Sequence, residues 1–168
     1  MTERVREAML DALPRVRRFA LSLTGNRDDA DDLLQSTVER VLGRGLPEGA
    51  DVLRWMFRVA RNIWIDEVRS RKVRLGAAGR REPEDEATVD GEDAAIGGLQ
   101  MREIGDAMAS LPEEQRALLS LVAIEGLTYR EASEVHEIPI GTVMSRLARA
   151  RAGVAARLFG RGRKREGQ

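Results

Sequence analysis

Apolar positions recur with helical spacing along almost the whole chain. Near the start, Met9, Leu13, Val16, Ala20 and Leu23 alternate at spacings of four and three, one stripe of a helix. Pro14 falls inside that stripe and predicts a helix restarting there, with the proline in its first turn. The break "TGNRDD" then loads acid onto the next helix N-terminus, where the helix dipole favours it. Leu33, Leu34, Val38, Val41 and Leu42 carry this second helix, and the Gly and Pro content of "GRGLPEGAD" (43–51) predicts a loop. A long helix is predicted from Val52 to about Lys72. Val52, Leu53, Met56, Phe57, Val59, Ala60, Ile63 and Trp64 fill one broad face of it. Arg54, Arg58, Arg61, Ile65, Arg69 and Lys72 line up on the other.

Residues 74–98 have no periodicity and are rich in Gly, Ala and acid, which predicts a flexible acidic linker. A second helical set starts at Leu99, with "LQMREIGDAMASL" and then a helix opened by Pro112. Thr128 is the expected N-cap of the next helix, and Glu131 three residues on completes a capping box. After "HEIPIG", Val143, Leu147, Ala150 and Val154 form the core stripe of a final helix. Its opposite face carries Ser145, Ala148, Arg149 and Ala152, flanked by Arg146 and Arg151. No sustained period-two alternation appears. The expectation is an all-α protein with a helical module at 1–73, a linker at 74–98, a second module at 99–160 and a basic tail at 161–168.

Composition narrows the chemistry. Lys plus Arg and Asp plus Glu both total 28 in 168 residues, so net charge is uninformative. Its distribution is informative: residues 142–168 hold eight basic side chains and one acidic, which points to a polyanion contact near that end. The absence of Cys excludes disulfides and thiol chemistry, and the single His136, expected at a partly exposed helix end, excludes a multi-histidine metal site. No nucleophile–base pair, phosphate loop or metal-ligand spacing is present, so neither an enzyme nor a cofactor or metal is expected. The acids Asp28, Asp29, Asp31 and Asp32 are read as helix capping and partner docking in preference to a cation site. The longest apolar run, "ALLSLVAI", is too short to span a bilayer and no signal-peptide core opens the chain, which predicts a soluble cytoplasmic protein without membrane insertion.

Two stretches suit nucleic acid. Small residues beside arginines on the final helix would let it lie close in a major groove, although an amphipathic hairpin with a solvated basic face fits the same pattern. Five cations on one face of the long helix repel one another unless a phosphate backbone supplies counter-charge. Trp55, beside Asn62 and Asp66 near the 43–51 loop, could stack on an unpaired base or serve as partial core. Two such modules on one tether favour a bipartite DNA reader.

In order along the chain, "LPRVRRFALSLTGNRDDADDLLQSTVERVL", "WMFRVARNIWIDEVRSRKVR" and "LPEEQRALLSLVAIEGLTYREASEVHEIPIGTVMSRLARARAGV" resemble the extracytoplasmic-function (ECF, group IV) sigma factors of bacterial RNA polymerase. The first resembles the start of region 2, the second the segment that melts and holds the −10 element, and the third the −35-reading region 4. The resemblance implies core RNA polymerase, promoter DNA and an anti-sigma factor as partners. It places Asp28, Asp31, Asp32, Leu33 and Gln35 on the polymerase-docking surface. It places Arg54, Trp55, Arg58, Arg61, Asn62, Arg69 and Lys72 in the −10 melting helix, and makes the 43–51 loop the one that captures a flipped base. Thr142, Ser145, Arg146, Arg149 and Arg151 fall in the recognition helix. The "ALLSLVAI" and Leu33/Leu34 helices are the candidates for apolar surface that an anti-sigma factor would cover.

Some residues depart from the family pattern. Glu137 stands where the turn prefers Gly, which predicts left-handed strain. Ser133 replaces a small Ala, and Met144 stands where a basic residue is common. Two other functions are compatible with parts of the chain: a sigma-like mimic that titrates an anti-sigma factor, and a plain helix-turn-helix repressor with an N-terminal dimerisation domain. The mimic leaves the retained cations unexplained, and the repressor leaves the stripe on the long helix unexplained.

Overall fold

The computed structural model describes residues 1–78 and 97–165, and all of their regular structure is helical. The chain divides into two compact units, Met1–Glu86 and Ala87–Gln168. The first is built from α1 (Glu3–Thr24), α2 (Arg27–Arg44) and α3 (Val52–Ala78), each packed on the other two.

Local chemistry sets the helix ends. The Thr2 hydroxyl accepts from the Val5 amide at 3.4 Å to open α1. Gly25 closes α1 in the left-handed region at φ 79°, donating its amide to Leu21, a conformation that costs glycine nothing. Asn26 then accepts from the Asp29 amide at 2.9 Å and starts α2, with Asp28 and Asp29 in the first turn as expected. The predicted restart at Pro14 does not occur, and α1 runs through it. Pro14 and Leu10 both face solvent, so water can serve the Leu10 carbonyl that loses its helical donor.

The apolar stripe of α1 is buried at Met9, Val16, Ala20 and Leu23. Phe19 stacks edge-on against Phe57 of α3, with centroids 5.1 Å apart, and the Arg15 guanidinium sits 5.7 Å from the Phe57 ring centre. Leu42, expected to help carry α2, is instead 53% exposed at its C-terminal end. Ile65, aligned in sequence with the cations of α3, is 3% exposed and belongs to the core. Because α3 packs on two helices, its buried face runs further round than a one-sided amphipathic stripe. Helix α3 also continues to Ala78 and α4 begins at Gly97, so 74–78 and 97–98 are helical where linker was expected. The rest of that expected linker, and the end of the basic tail at 166–168, lie outside the described residues.

The second unit contains α4 (Gly97–Ala109), α5 (Glu113–Leu119), a π turn (Ser120–Ile124), α6 (Tyr129–His136) and α7 (Ile140–Arg165). Pro112 precedes α5 as expected. Helix α7 packs against α4, α5 and α6. Val143, Leu147 and Ala150 are buried with Leu118, Leu119 and Ala132, and Val154 packs on their edge, so the predicted stripe is the core. Gly153 lies where that core is tightest, since a Cβ there would come within 2.8 Å of Leu111 Cδ2. Within "ALLSLVAI", Leu118, Leu119 and Leu121 are buried and Ile124 alone of the large side chains is well exposed. That helix is mostly core and offers little of the free apolar surface expected of it. Arg116 is also buried, and desolvation pulls its guanidinium down to about 10, still charged at neutral pH. No helix among the described residues is long and apolar enough to cross a membrane.

Candidate nucleic-acid interface

The helix-turn-helix is assembled by local hydrogen bonds. Glu131 donates its amide to the Thr128 hydroxyl at 3.1 Å, and the Thr128 amide donates to Glu131 Oε2 at 2.8 Å, closing the expected capping box of α6. Helix α6 ends at Glu137, which takes the left-handed conformation at φ 54° and ψ 43°. The left-handed conformation expected of this non-glycine residue is present. Ser133 helps to hold the turn, since its hydroxyl donates to the Ile138 carbonyl at 2.6 Å. An alanine could not make that bond. Pro139 starts α7, its carbonyl accepting from the Thr142 and Val143 amides.

Replacing Glu137 by glycine should therefore stabilise the second unit. The left-handed conformation costs an L-residue about 1–2 kcal/mol, and the greater chain entropy of unfolded glycine returns about half of that. A net gain of about 0.5–1 kcal/mol is expected, read as a rise of a few degrees in thermal midpoint for a domain of this size. An unchanged or lower midpoint would show that the turn relaxes without strain.

With one face of α7 in the core, its other face meets solvent. Ser145, Ala148, Arg149 and Ala152 are exposed, as the sequence predicts. Arg149 reaches outward and makes no polar contact with the described residues. Arg151 is exposed and donates to the Tyr129 hydroxyl at 3.3 Å, which ties α7 to the first residue of α6. Arg146 is half-buried and donates to Glu114 of α5 at 3.4 Å, and Thr142 is also half-buried. His136 does end α6, but it is only 3% exposed, with Nδ1 3.8 Å from that same Glu114 carboxylate. The partly exposed position expected of it is corrected: the turn folds the ring under α5. Glu114 and Tyr129 had no sequence signal, because their partners lie 32 and 22 residues away.

The cations of α3 are arranged less simply than a stripe. Asp51 caps the helix, accepting from the Arg54 amide at 2.9 Å, and its carboxylate lies 3.7 Å from the Arg54 guanidinium. Trp55 is half-buried and the Arg58 guanidinium lies 5.3 Å from its ring centre, a cation–π contact. Trp55 is therefore partial core, with part of the side chain left accessible. Arg61 and Asn62 are half-buried and joined by a 2.8 Å bond from Arg61 Nη1 to Asn62 Oδ1. Arg69 and Lys72, two to three turns on, are exposed. Such a surface pairs a π face with phosphate-binding cations, and could hold an unstacked base beside its backbone.

On α2, Asp28, Asp32 and Gln35 are exposed. Gln35 also donates to Glu39 at 3.1 Å. Asp31 is committed to an internal pair, accepting from Arg17 Nε at 2.7 Å. The hydrogen bond from Arg17 holds its carboxyl below the usual carboxylate range. Leu33 is 3% exposed and packs into the core of the first unit, so it offers no docking side chain. Period alone could not tell it from its half-buried neighbour Leu34.

Residues 9–74 match the family model for sigma-70 region 2, and residues 101–152 match that for sigma-70, region 4. The chain is 34% identical over 166 residues to the ECF RNA polymerase sigma factor EcfG of Rhodopseudomonas palustris (strain TIE-1), covering 95% of this chain and 87% of that relative. It is 33% identical over 161 residues to the ECF RNA polymerase sigma factor SigM of Bacillus subtilis (strain 168), covering 88% and 90%. Among solved structures it is similar to the sigma factor RpoE of Bartonella quintana, crystallised with the anti-sigma factor NepR. The TM-score there is 0.75 at 27% identity, over 94% of this chain and 98% of that one.

Proposed function

Because the chain belongs to the ECF sigma factors, the non-enzymatic subunits that direct bacterial RNA polymerase to promoters, we propose how its own residues divide that work. Residues 1–73 dock on core polymerase and open the −10 element, residues 99–160 read the −35 element, and 74–98 join them. The carrying observation is the solvent face of α7, where Arg149 extends beside the small residues Ser145 and Ala152, turned away from the buried Val143–Leu147 stripe.

On α7, Arg149 reads a base edge, and Arg151 and Arg146 contact phosphate once DNA competes for their bonds to Tyr129 and Glu114. Thr142 and Ser145 border the same face. On α3, Trp55 with Arg58 receives an unpaired base, Arg61 and Asn62 line its edge, and Arg54, Arg69 and Lys72 follow the strand backbone. Asp28, Asp32 and Gln35 form the polymerase-docking edge of α2, with Asp31 bracing it through Arg17. The protein works in the cytoplasm, where promoter and polymerase are. An anti-sigma factor restrains it, a reading supported by the similar sigma factor crystallised with NepR.

Reconstitution with core polymerase tests the reading. The holoenzyme should initiate at discrete starts preceded by a shared pair of elements, and initiation no better than core alone would overturn it. Trp55→Ala should leave polymerase binding intact and reduce opening of duplex promoters. Stacking is worth about 1–3 kcal/mol per base, and the lower end applies because Arg58 already occupies one side of the ring. A defect of about fivefold is expected, largely rescued on a pre-melted template. Normal permanganate reactivity of the mutant's open complex would remove Trp55 from strand opening.

A further inference from the structure

The outward face of α7 carries an apolar line that neither the core nor the arginines account for. Met144 is 55% exposed, and Ala148 and Ala152 are exposed beyond it. At the helical angle per residue the three fall within about 80° of one another, running from Met144 about a right angle round from the core stripe to Ala152 nearly opposite it. Arg149 lies to one side of the line and Arg151 to the other.

Small side chains alone only permit close approach of a helix to another surface. Met144 does something different, because it projects a long apolar thioether from the edge of that surface, on the Arg151 side, into water. It also sits in the second turn of α7, and recognition helices touch base edges with their N-terminal residues. Ala148, one turn on and about 6 Å further along the axis, stops at Cβ and so leaves room for the helix to sink. The base edges of a major groove present one apolar group, the C5 methyl of thymine. A flexible, polarisable thioether can follow the position of such a methyl, where a charged side chain would be desolvated for no hydrogen bond.

We infer that Met144 is a specificity-determining residue that reads a thymine methyl group in the −35 element, with Ala148 setting the depth of approach. The inference rests on the reading of α7 as the recognition helix. It deepens that reading, since Arg149, on the other edge of the same face, would select a guanine by hydrogen bonds while Met144 selects thymine by apolar contact.

The test uses the holoenzyme and the promoter defined by its mapped starts. Each thymine of the −35 element, on either strand, is replaced in turn by deoxyuridine, which removes only the methyl. Wild-type binding should fall about three- to fivefold at one or two of these positions, the effect of burying one methyl group. Met144→Ala should bind the methylated and unmethylated sites equally, Met144→Leu should keep part of the preference, and Arg149→Ala should keep all of it. Indifference of the wild type to every deoxyuridine, or undiminished sensitivity in Met144→Ala, would overturn the inference. If Arg149→Ala still altered specificity in that case, the reading of α7 would stand. If Arg149→Ala also bound the duplex promoter like the wild type, that reading would fail with it.

Discussion

Phe57→Ala is expected to cost the first unit about 3–5 kcal/mol, the range for removing a buried aromatic side chain. Phe57 has no solvent exposure, meets Phe19 edge-on at 5.1 Å and lies under the Arg15 guanidinium. Deleting it leaves a void between α1 and α3 that neither helix can close alone, because each is also held by α2. At roughly 0.05–0.15 kcal/mol per residue, a unit of about 78 residues has only ~4–12 kcal/mol in total. The variant should therefore lose a large share of its protection from amide exchange in α1–α3 and unfold at much lower urea. It should also lose strand opening, since Trp55 and Arg58 are aimed by the same helix. A destabilisation under 1 kcal/mol would mean that the helices repack around the gap.

Arg149→Ala has the largest expected effect on recognition. A well-placed arginine on a base edge discriminates by about 1–3 kcal/mol, roughly 5- to 150-fold. Arg149 has no polar contact among the described residues to break on binding, whereas Arg151 must leave Tyr129 and Arg146 must leave Glu114. Its loss should therefore fall on one −35 position, with other positions read as before. Arg151→Ala should instead weaken all duplexes alike and reduce the salt slope by about one. A promoter library scored against both variants separates the two roles. Identical profiles for Arg149→Ala and Arg151→Ala would refute the division, and no change in either would remove this face of α7 from recognition.

The helices were legible because their signals are local. The Thr128–Glu131 capping box, the acid-loaded start of α2 and the Val143–Leu147–Ala150 stripe each depend on residues within a few turns of one another. Glu137 was legible for the same reason, since its strain follows from one backbone position. Pro14 was misread because the cost of a proline inside a helix, a forfeited bond and a ring crowding the carbonyl four residues back, is reduced where that turn faces solvent, as Leu10 and Pro14 do. Ile65 was misplaced for another reason. Periodicity assigns one buried face to each helix, and a helix wedged between two others buries a wider arc.

The sequence by itself determined that this protein is all-α, where its helices cap and turn, and which side chains form the core of α7, because all of these are set by neighbours along the chain. Its three motifs in order also carried the likeness to a sigma factor. Only the tertiary structure decided which of the charged residues remain available to a partner. Asp31 is held by Arg17, Arg146 by Glu114 and Arg151 by Tyr129, while Arg149 is exposed and has no polar partner among the described residues. These pairings join residues 14 to 32 apart, brought together by helix packing. A charge in the sequence records no such partner, and burial of the hydrophobic faces is what brings the two ends of each pair within reach.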